Sequence, residues 1–186
     1  MKPPHSVVPD RSEILRSMDY ASAIAAGDIS VFRVPSQTTV DDRWSLLRLQ
    51  RLVRQAYRPY SYLEVGSHLG GSIFPHLVDE RCSSIVSIDP RPEAQPDQRG
   101  RDFFYDGNTT RRMLDTLSAA AGEAALVKIR TFDSDVSTVA PKQVGRNIRL
   151  ALIDGEHTNR AAFRDFSQVL KMVERDSIIA FHDSNI

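Results

Sequence analysis

The chain has one cysteine, Cys82, in an apolar setting, which excludes a disulfide framework and a cluster of thiolate metal ligands. It has no apolar stretch long enough to span a bilayer, and Met1-Lys2-Pro3-Pro4-His5 lacks the apolar core of a secretory signal. An excess of one charge is also missing: 24 Lys and Arg offset 24 Asp and Glu, so no overall field draws in nucleic acid or an anionic membrane. These absences lead to the expectation of a cytoplasmic protein with neither nucleic acid nor a membrane as partner. What is present suffices for one α/β core, since 41% of the 186 residues are hydrophobic.

Four apolar runs carry an acid at or near their end. Glu64 lies in Tyr62-Leu63-Glu64-Val65-Gly66, Asp89 closes Ile85-Val86-Ser87-Ile88, Asp154 closes Leu150-Ala151-Leu152-Ile153, and Asp183 closes Ile178-Ile179-Ala180-Phe181-His182. Continuous apolar runs suit strands buried on both faces of a parallel sheet, and ligands of such sheets gather at the carboxyl ends of the strands. The four acids are therefore expected to face one crevice.

Strands are expected over residues 62–65, 85–88, 126–130, 149–153 and 177–182. They alternate with helices over 71–79, 108–121 and 158–173 and a short turn over 136–139. Residues 1–60 read as a helical lead-in: a loose segment to about Pro9, a helix over 11–26 stopped at Gly27, and a longer helix from near Thr39 with Asp41 and Asp42 in its first turn. Leu46, Leu49, Leu52, Val53, Ala56 and Tyr57 mark one face of that longer helix. Arg43, Arg48, Arg51, Arg54 and Arg58 mark the other, which reads as a solvated side because no base-stacking aromatics are interleaved with it. Trp44 is expected in the core. The proline- and charge-rich segment 90–100 reads as an exposed loop, with Arg91, Arg99 and Arg101 solvated; contact with an anionic acceptor is the alternative for these arginines.

The sharpest motif is Glu64-Val65-Gly66-Ser67-His68-Leu69-Gly70-Gly71-Ser72, directly after the first strand. Glycine serves where the backbone turns sharply off a strand and a ligand must approach closely, and the following helix would offer its free amides to that ligand. Three residues separate Gly66 from Gly70, which departs from the dinucleotide pattern G-x-G-x-x-G. Asp89 follows about 20 residues later, where α/β nucleotide folds place an acid on the ribose diol. Asp133, in Thr131-Phe132-Asp133-Ser134-Asp135, stands where an adenine amine could be accepted; a plain acidic loop or helix cap is the competing reading.

Together with Ile153-Asp154-Gly155-Glu156-His157 and the closing Phe181-His182-Asp183, these motifs resemble a class I S-adenosylmethionine-dependent methyltransferase. Within that superfamily the chain is most similar to the macrocin-type O-methyltransferases and their cephalosporin-hydroxylase-like relatives, from about Ser61 onward. The resemblance implies a Rossmann-like, mostly parallel sheet over 61–186 with helices on both faces. It implies that Glu64, Gly66, Ser67 and Gly70, with Ser72 in the same motif, shape the methionine pocket of S-adenosylmethionine. Asp89 would hold the ribose, and Asp133 and Ser134 would sit near the adenine. Asp154 would be a metal ligand, His157 the general base, and Asp183 with His182 would complete the metal site. His182 stands where the macrocin-type branch tends to have an acid, and the catechol-type enzymes have Asp-Asn where this chain reads Asp183-Ser184-Asn185.

The chemistry follows from the residues as well. Asp154 and Asp183 would end adjacent strands, so hard oxygen ligands converge as Mg2+ requires. A metal on a diol lowers a hydroxyl pKa, and a neutral His157 can take the proton. The plainer alternatives are a capping network for His157, a packed or supporting role for His182, a loop-surface role for His68, and a solvated or paired Asp165. The full methyltransferase sheet has two further strands after the position of Asp183. Either the sheet continues beyond Ile186, or a partner chain such as a second copy completes it, and these residues alone are expected to be weakly active or inactive. The small-molecule acceptor is a sugar or natural product on this reading. A non-catalytic nucleotide-binding or scaffold module and a nicotinamide-dependent oxidoreductase are the alternatives.

Overall fold

The apolar runs fold as strands of one sheet. The computed structural model describes residues 19–183. In chain order the strands are β1 (Tyr60–Val65), β2 (Cys82–Ile88), β3 (Ala94–Asp97), β4 (Arg101–Phe104), β5 (Ile129–Phe132), β6 (Ile148–Ile153) and β7 (Ile178–Phe181). Five of them form a parallel sheet in the order β5-β2-β1-β6-β7, while β3 and β4 make a separate antiparallel hairpin. The strand order reverses between β1 and β6, which is where a doubly wound sheet opens its ligand crevice.

Alternation along the strands divides the core between two faces. Tyr60, Tyr62, Ile85, Leu150 and Leu152 pack against α2 (Val40–Ala56), α3 (Phe74–Leu77) and α4 (Thr110–Ala121). Leu63, Val65, Val86, Ala151 and Ile153 pack on the opposite side against α5 (Pro141–Val144) and α6 (Asn159–Val169). A short helix, α1 (Tyr20–Ala26), packs Ile24 onto Leu47 of α2. Gly27 ends α1 at φ 77°, a left-handed cap that glycine adopts without Cβ strain. Thr39 and Asp42 form a reciprocal capping box at the start of α2, as the acids of its first turn suggest. Cys82 is buried and inert, its thiol pushed up to about 12 by burial. No helix among the described residues is long and apolar enough to cross a membrane.

Several expectations need correction. The helix expected over 71–79 shrinks to Phe74–Leu77, because Pro75 has no N–H to give to the preceding turn and so starts a helix rather than continuing one. Leu126 lies in a 3-10 turn, Glu123–Lys128, and the strand starts only at Ile129. The exposed loop over 90–100 contains β3, with Asp97 buried at the hairpin turn. Trp44 is 51% exposed and lies over Gly27, while Leu52, also 51% exposed, leaves the apolar face. Arg54 belongs to the buried side of α2, not the solvated one: its Nε donates to Asp79 Oδ1 at 3.0 Å. The first helix starts at Tyr20 with Asp19 as its cap, and the part expected over 11–18, the loose segment before it, Ser184-Asn185 and the side chain of Arg101 lie outside the described residues.

Two buried acids behave oppositely. Asp79 accepts from Arg54, from the Arg81 amide at 3.0 Å and from the Tyr60 hydroxyl at 3.0 Å. Burial alone would raise its carboxyl, but these donors, led by the Arg81 amide and Arg54, hold it below the ordinary value. Glu64, fully buried on β1, accepts from Tyr62 Oη at 2.5 Å and Ser72 Oγ at 2.7 Å. Two neutral hydroxyls do not offset its desolvation, and its carboxyl is pushed up to about 8.

Arg54→Leu is expected to cost about 3–5 kcal/mol in urea unfolding at neutral pH, because it strands the Asp79 charge. That loss should shrink as pH falls through the depressed Asp79 value, since the pair stabilises the fold only while Asp79 is ionised. For Glu64 the sign reverses. Its folded value of about 8 exceeds the ordinary 4.5, so its contribution is present below 4.5 and is lost as pH rises towards 8. Glu64→Gln should flatten the decline of unfolding free energy across that window; an unchanged slope would show that Glu64 ionises freely in the fold.

Candidate functional site

Gly66 leaves β1 at φ 82°, and a Cβ built on it would lie 2.0 Å from the carbonyl oxygen of Asp154. Only glycine lets the end of β1 press this closely on the end of β6. Its own N–H donates to Ile88 O at 2.9 Å, and the Asp154 N–H donates to Val65 O at 2.8 Å, so the ends of β2, β1 and β6 are tied together.

The turn beyond Gly66 is fixed by the acid of β2. Ser67 and His68 donate their amides to Asp89 Oδ2 at 2.9 and 3.1 Å. Arg91, almost fully buried, donates its amide to Asp89 Oδ1 at 2.8 Å and its guanidinium to His68 O at 2.7 Å and Ser87 Oγ at 3.2 Å. The turn amides expected to meet a ligand thus bond Asp89 instead, and α3 is too short to offer a helix terminus. Arg91 is also not the solvated loop residue expected from its sequence. Of the four described non-glycine residues with left-handed φ, His68 (42°) and Asp183 (50°) line one crevice and Arg91 (57°) bonds Asp89 behind it, while Asn147 (65°) does not line it.

That crevice is lined by Gly66, Ser67, Ser72, Asp89 and, on its other side, by Asp154, His157, His182 and Asp183. The segment 35–39 and Tyr105 close it further. Glu64 and Gly70 are buried and do not line it, Gly70 giving close approach to Leu117. Asp133 and Ser134 stand outside its lining, with Asp133 exposed and accepting from the Thr110 hydroxyl.

Asp154 Oδ1 is the hub of the second wall. It lies 3.0 Å from His182 Nδ1 and 3.6 Å from His157 Nε2. The other nitrogen of each ring faces a different acid: His157 Nδ1 is 3.3 Å from Asp97 Oδ2, and His182 Nε2 is 3.3 Å from Asp42 Oδ2. Asp183 stands 3.6 Å from His157 and 3.5 Å from His182, and 3.3 Å from Arg99. Arg99 grips Asp97 through Nε at 2.8 Å and a terminal nitrogen at 2.6 Å, so it too is paired rather than solvated. That grip holds the Asp97 carboxyl far below the usual range.

Both histidines titrate higher than usual. The close Asp154 carboxylate raises His157 against the opposing effect of burial, with Asp183 and Asp97 adding to it. Asp154, then Asp183 and Asp42, push His182 up to about 9 although it is largely buried. The contacts of His182 are near but poorly directed, and neither of its buried ring nitrogens has a hydrogen-bond partner. One carboxylate and two imidazoles whose donor atoms lie within 4.8 Å of one another make a donor set that fits a divalent cation. Asp165, expected to be solvated or paired, is buried and paired with Arg164 at 3.0 Å.

The sequence pattern does not reveal Asp97, Arg99, Arg91 or Asp42 as parts of this site. Pro96 argues against a strand at 94–97, and the one signal for the hairpin is Gly100, whose φ of 79° closes its turn. Asp42 is legible as a helix-start acid, but its second contact with His182 is a product of tertiary packing.

No curated protein matches the chain. Among solved structures, cofactor-bound Rv0187 from MTB aligns over 96% of this chain and 72% of that one, at 17% identity and a TM-score of 0.52, a likeness of fold alone. NodS, an N-methyltransferase from Bradyrhizobium japonicum WM9 solved with S-adenosyl-l-homocysteine, aligns over 88% of this chain and 72% of that one at 12% identity and a TM-score of 0.48. Coclaurine N-methyltransferase, solved with N-methylheliamine and SAH, aligns over 90% of this chain at 11% identity and a TM-score of 0.43, and this chain spans 47% of its length. The family model described as "Methyltransferase domain" matches residues 63–184, more than half of the chain, and the chain belongs to that family.

Proposed function

We propose that the protein transfers a methyl group from S-adenosylmethionine to a hydroxyl of a small acceptor, a sugar or natural product, with the help of a divalent cation and in a cytoplasmic setting. One observation carries this reading: the glycine turn and Asp89 are bonded directly to each other and face, across one crevice, the Asp154, His157, His182 and Asp183 cluster. On this reading Gly66, Ser67 and Ser72 border the methionine end of the donor, with Glu64 and Gly70 supporting the turn from below. Asp89, with three N–H bonds already made, offers its remaining lone-pair capacity to the ribose, and Asp133 and Ser134 lie towards the adenine. The departure from G-x-G-x-x-G spacing weighs against a nicotinamide cofactor.

On the ligand set that the resemblance implies, Asp154 and His182 with Asp183 would hold the cation, which would supply a Lewis acid that acidifies the acceptor hydroxyl. The rest of the task falls to the chain. In the tautomer of a neutral His157 that donates Nδ1–H to Asp97, which at 3.3 Å is nearer than Asp154 at 3.6 Å, Nε2 keeps a lone pair towards Asp154. That lone pair can take a proton or bind a cation. Holding the acceptor oxygen close to the methyl carbon and in line with the departing sulfur supplies much of the remaining acceleration.

Calorimetry should show binding of S-adenosylhomocysteine and none of a reduced nicotinamide cofactor; the opposite preference would replace the methyltransferase reading with a redox one. Asp89→Asn should weaken S-adenosylhomocysteine at least ~10-fold, in line with the loss of charge-assisted hydrogen bonds. With radiolabelled donor and a panel of vicinal diols, Asp154→Ala should abolish methyl transfer while S-adenosylhomocysteine still binds. Full activity in that variant would remove the cation from the reaction.

A further inference from the structure

We infer that the cation of this crevice is a first-row transition metal of the Mn2+, Fe2+, Co2+ or Zn2+ class rather than Mg2+, held by Asp154, His157 and His182. The inference rests on the proposed metal-assisted reaction for its purpose, but its geometry stands independently. His157 Nε2 and His182 Nδ1 lie close to the same Asp154 oxygen, at 3.6 and 3.0 Å, one from the segment after β6 and one from the end of β7. Behind each ring, the remote nitrogen meets its own carboxylate at 3.3 Å, Asp97 for His157 and Asp42 for His182. Ligating histidines are held in this way: the outer carboxylate takes the N–H, fixes the ring orientation and leaves the inner lone pair for the metal.

The backing acids come from separate parts of the fold. Asp42 is the capping-box acid of α2, and Asp97 ends β3 in a hairpin bonded to the His157 segment. An isolated bridge joins Asp97 to His157, and the Gln98 N–H donates to His157 O at 2.9 Å. Asp97 is thus a positioning residue, itself locked by Arg99. Neither ring nitrogen of His182 makes a directed hydrogen bond, although Asp154 Oδ1 lies 3.0 Å from Nδ1 and Asp42 Oδ2 lies 3.3 Å from Nε2; a cation between Nδ1 and Asp154 would satisfy Nδ1 and fix the ring against Asp42.

Donor chemistry decides the class of metal. Mg2+ prefers oxygen ligands in a near-ideal octahedron and seldom takes imidazole, whereas two imidazoles and one carboxylate suit the transition dications. Three protein donors leave positions for two oxygens of an acceptor. Asp183 leans on Arg99 at 3.3 Å and stands beside the donor set instead of completing it. His157 therefore acts as a ligand, not as the general base that the sequence resemblance implies.

The test uses the full chain stripped with chelator and titrated with Co2+, read by its visible d–d absorption, with Mn2+ followed by electron paramagnetic resonance. Co2+ should bind one to one and resist displacement by about a hundredfold excess of Mg2+. His157→Ala and His182→Ala should each change the Co2+ spectrum and weaken binding at least ~10-fold. Asp97→Asn, which keeps the volume and removes the charge, should weaken it by about 10–100-fold. Displacement of Co2+ by equimolar Mg2+ would overturn the proposal. So would an unchanged Co2+ spectrum and affinity in His157→Ala, which would return His157 to the role of base. Circular dichroism checks that each variant is folded. S-adenosylhomocysteine calorimetry on the same samples reports on the methyl-donor pocket separately, so its failure would strike the methyltransferase reading and leave the metal result standing.

Discussion

The contact between Gly66 and the Asp154 carbonyl is the constraint on which the crevice depends. With no side chain at Gly66, the carboxyl ends of β1 and β6 close to within a distance that any Cβ would forbid. This places the glycine turn and the Asp154 cluster on two walls of one cleft. The separation of the walls is then set by backbone bonds from β2 to Gly66 and from β1 to Asp154, not by long side chains. A ligand spanning the cleft meets a scaffold already ordered, so little of its binding energy goes into arranging the walls.

Charge is distributed with the same economy. Under α2, Asp79 is ionised because an arginine and several donors surround it; on β1, Glu64 has only hydroxyl partners and is driven towards its neutral form. Four carboxylates surround His157 and His182, and among the described groups in contact Arg99 and the ring protons of the two raised histidines oppose them without balancing all four. Such a surplus of negative charge in a partly buried cleft is costly unless a cation occupies it. The electrostatics and the donor geometry of the cluster thus favour the same proposed occupant, a dication.

The sheet was legible in the sequence because its strands are buried on both faces and leave unbroken apolar runs; β1, β2 and β6 follow their runs closely. The acids that end those strands were legible for the same reason, as was the Thr39 cap with its acidic first turn. What stayed hidden depends on partners far along the chain. Arg54 reads as a surface residue until Asp79 arrives 25 positions later to neutralise it. Trp44 reads as core until the buried stripe of α2 turns out to run through Leu47, Gln50, Val53 and Arg54. Periodicity cannot foresee this, because a buried polar side chain counts as solvated until its partner is known.

The hairpin is the sharpest case, and it bears on function. Proline and charge across residues 90–100 are the marks of a loop, yet the chain uses them to carry Asp97 and Arg99 to the back of His157. Pro96 is tolerated because its only strand partner is Asp102 of β4, while the bridge to His157 runs through Asp97 and Gln98. A two-stranded hairpin is marginal by itself, so its bonds to the His157 segment stabilise the hairpin as much as they orient the histidine. Charge at His157 and order in the hairpin are therefore coupled: a proton or cation on His157 Nε2 makes the Nδ1–H a stronger donor to Asp97, and so ties the hairpin more firmly to the His157 segment.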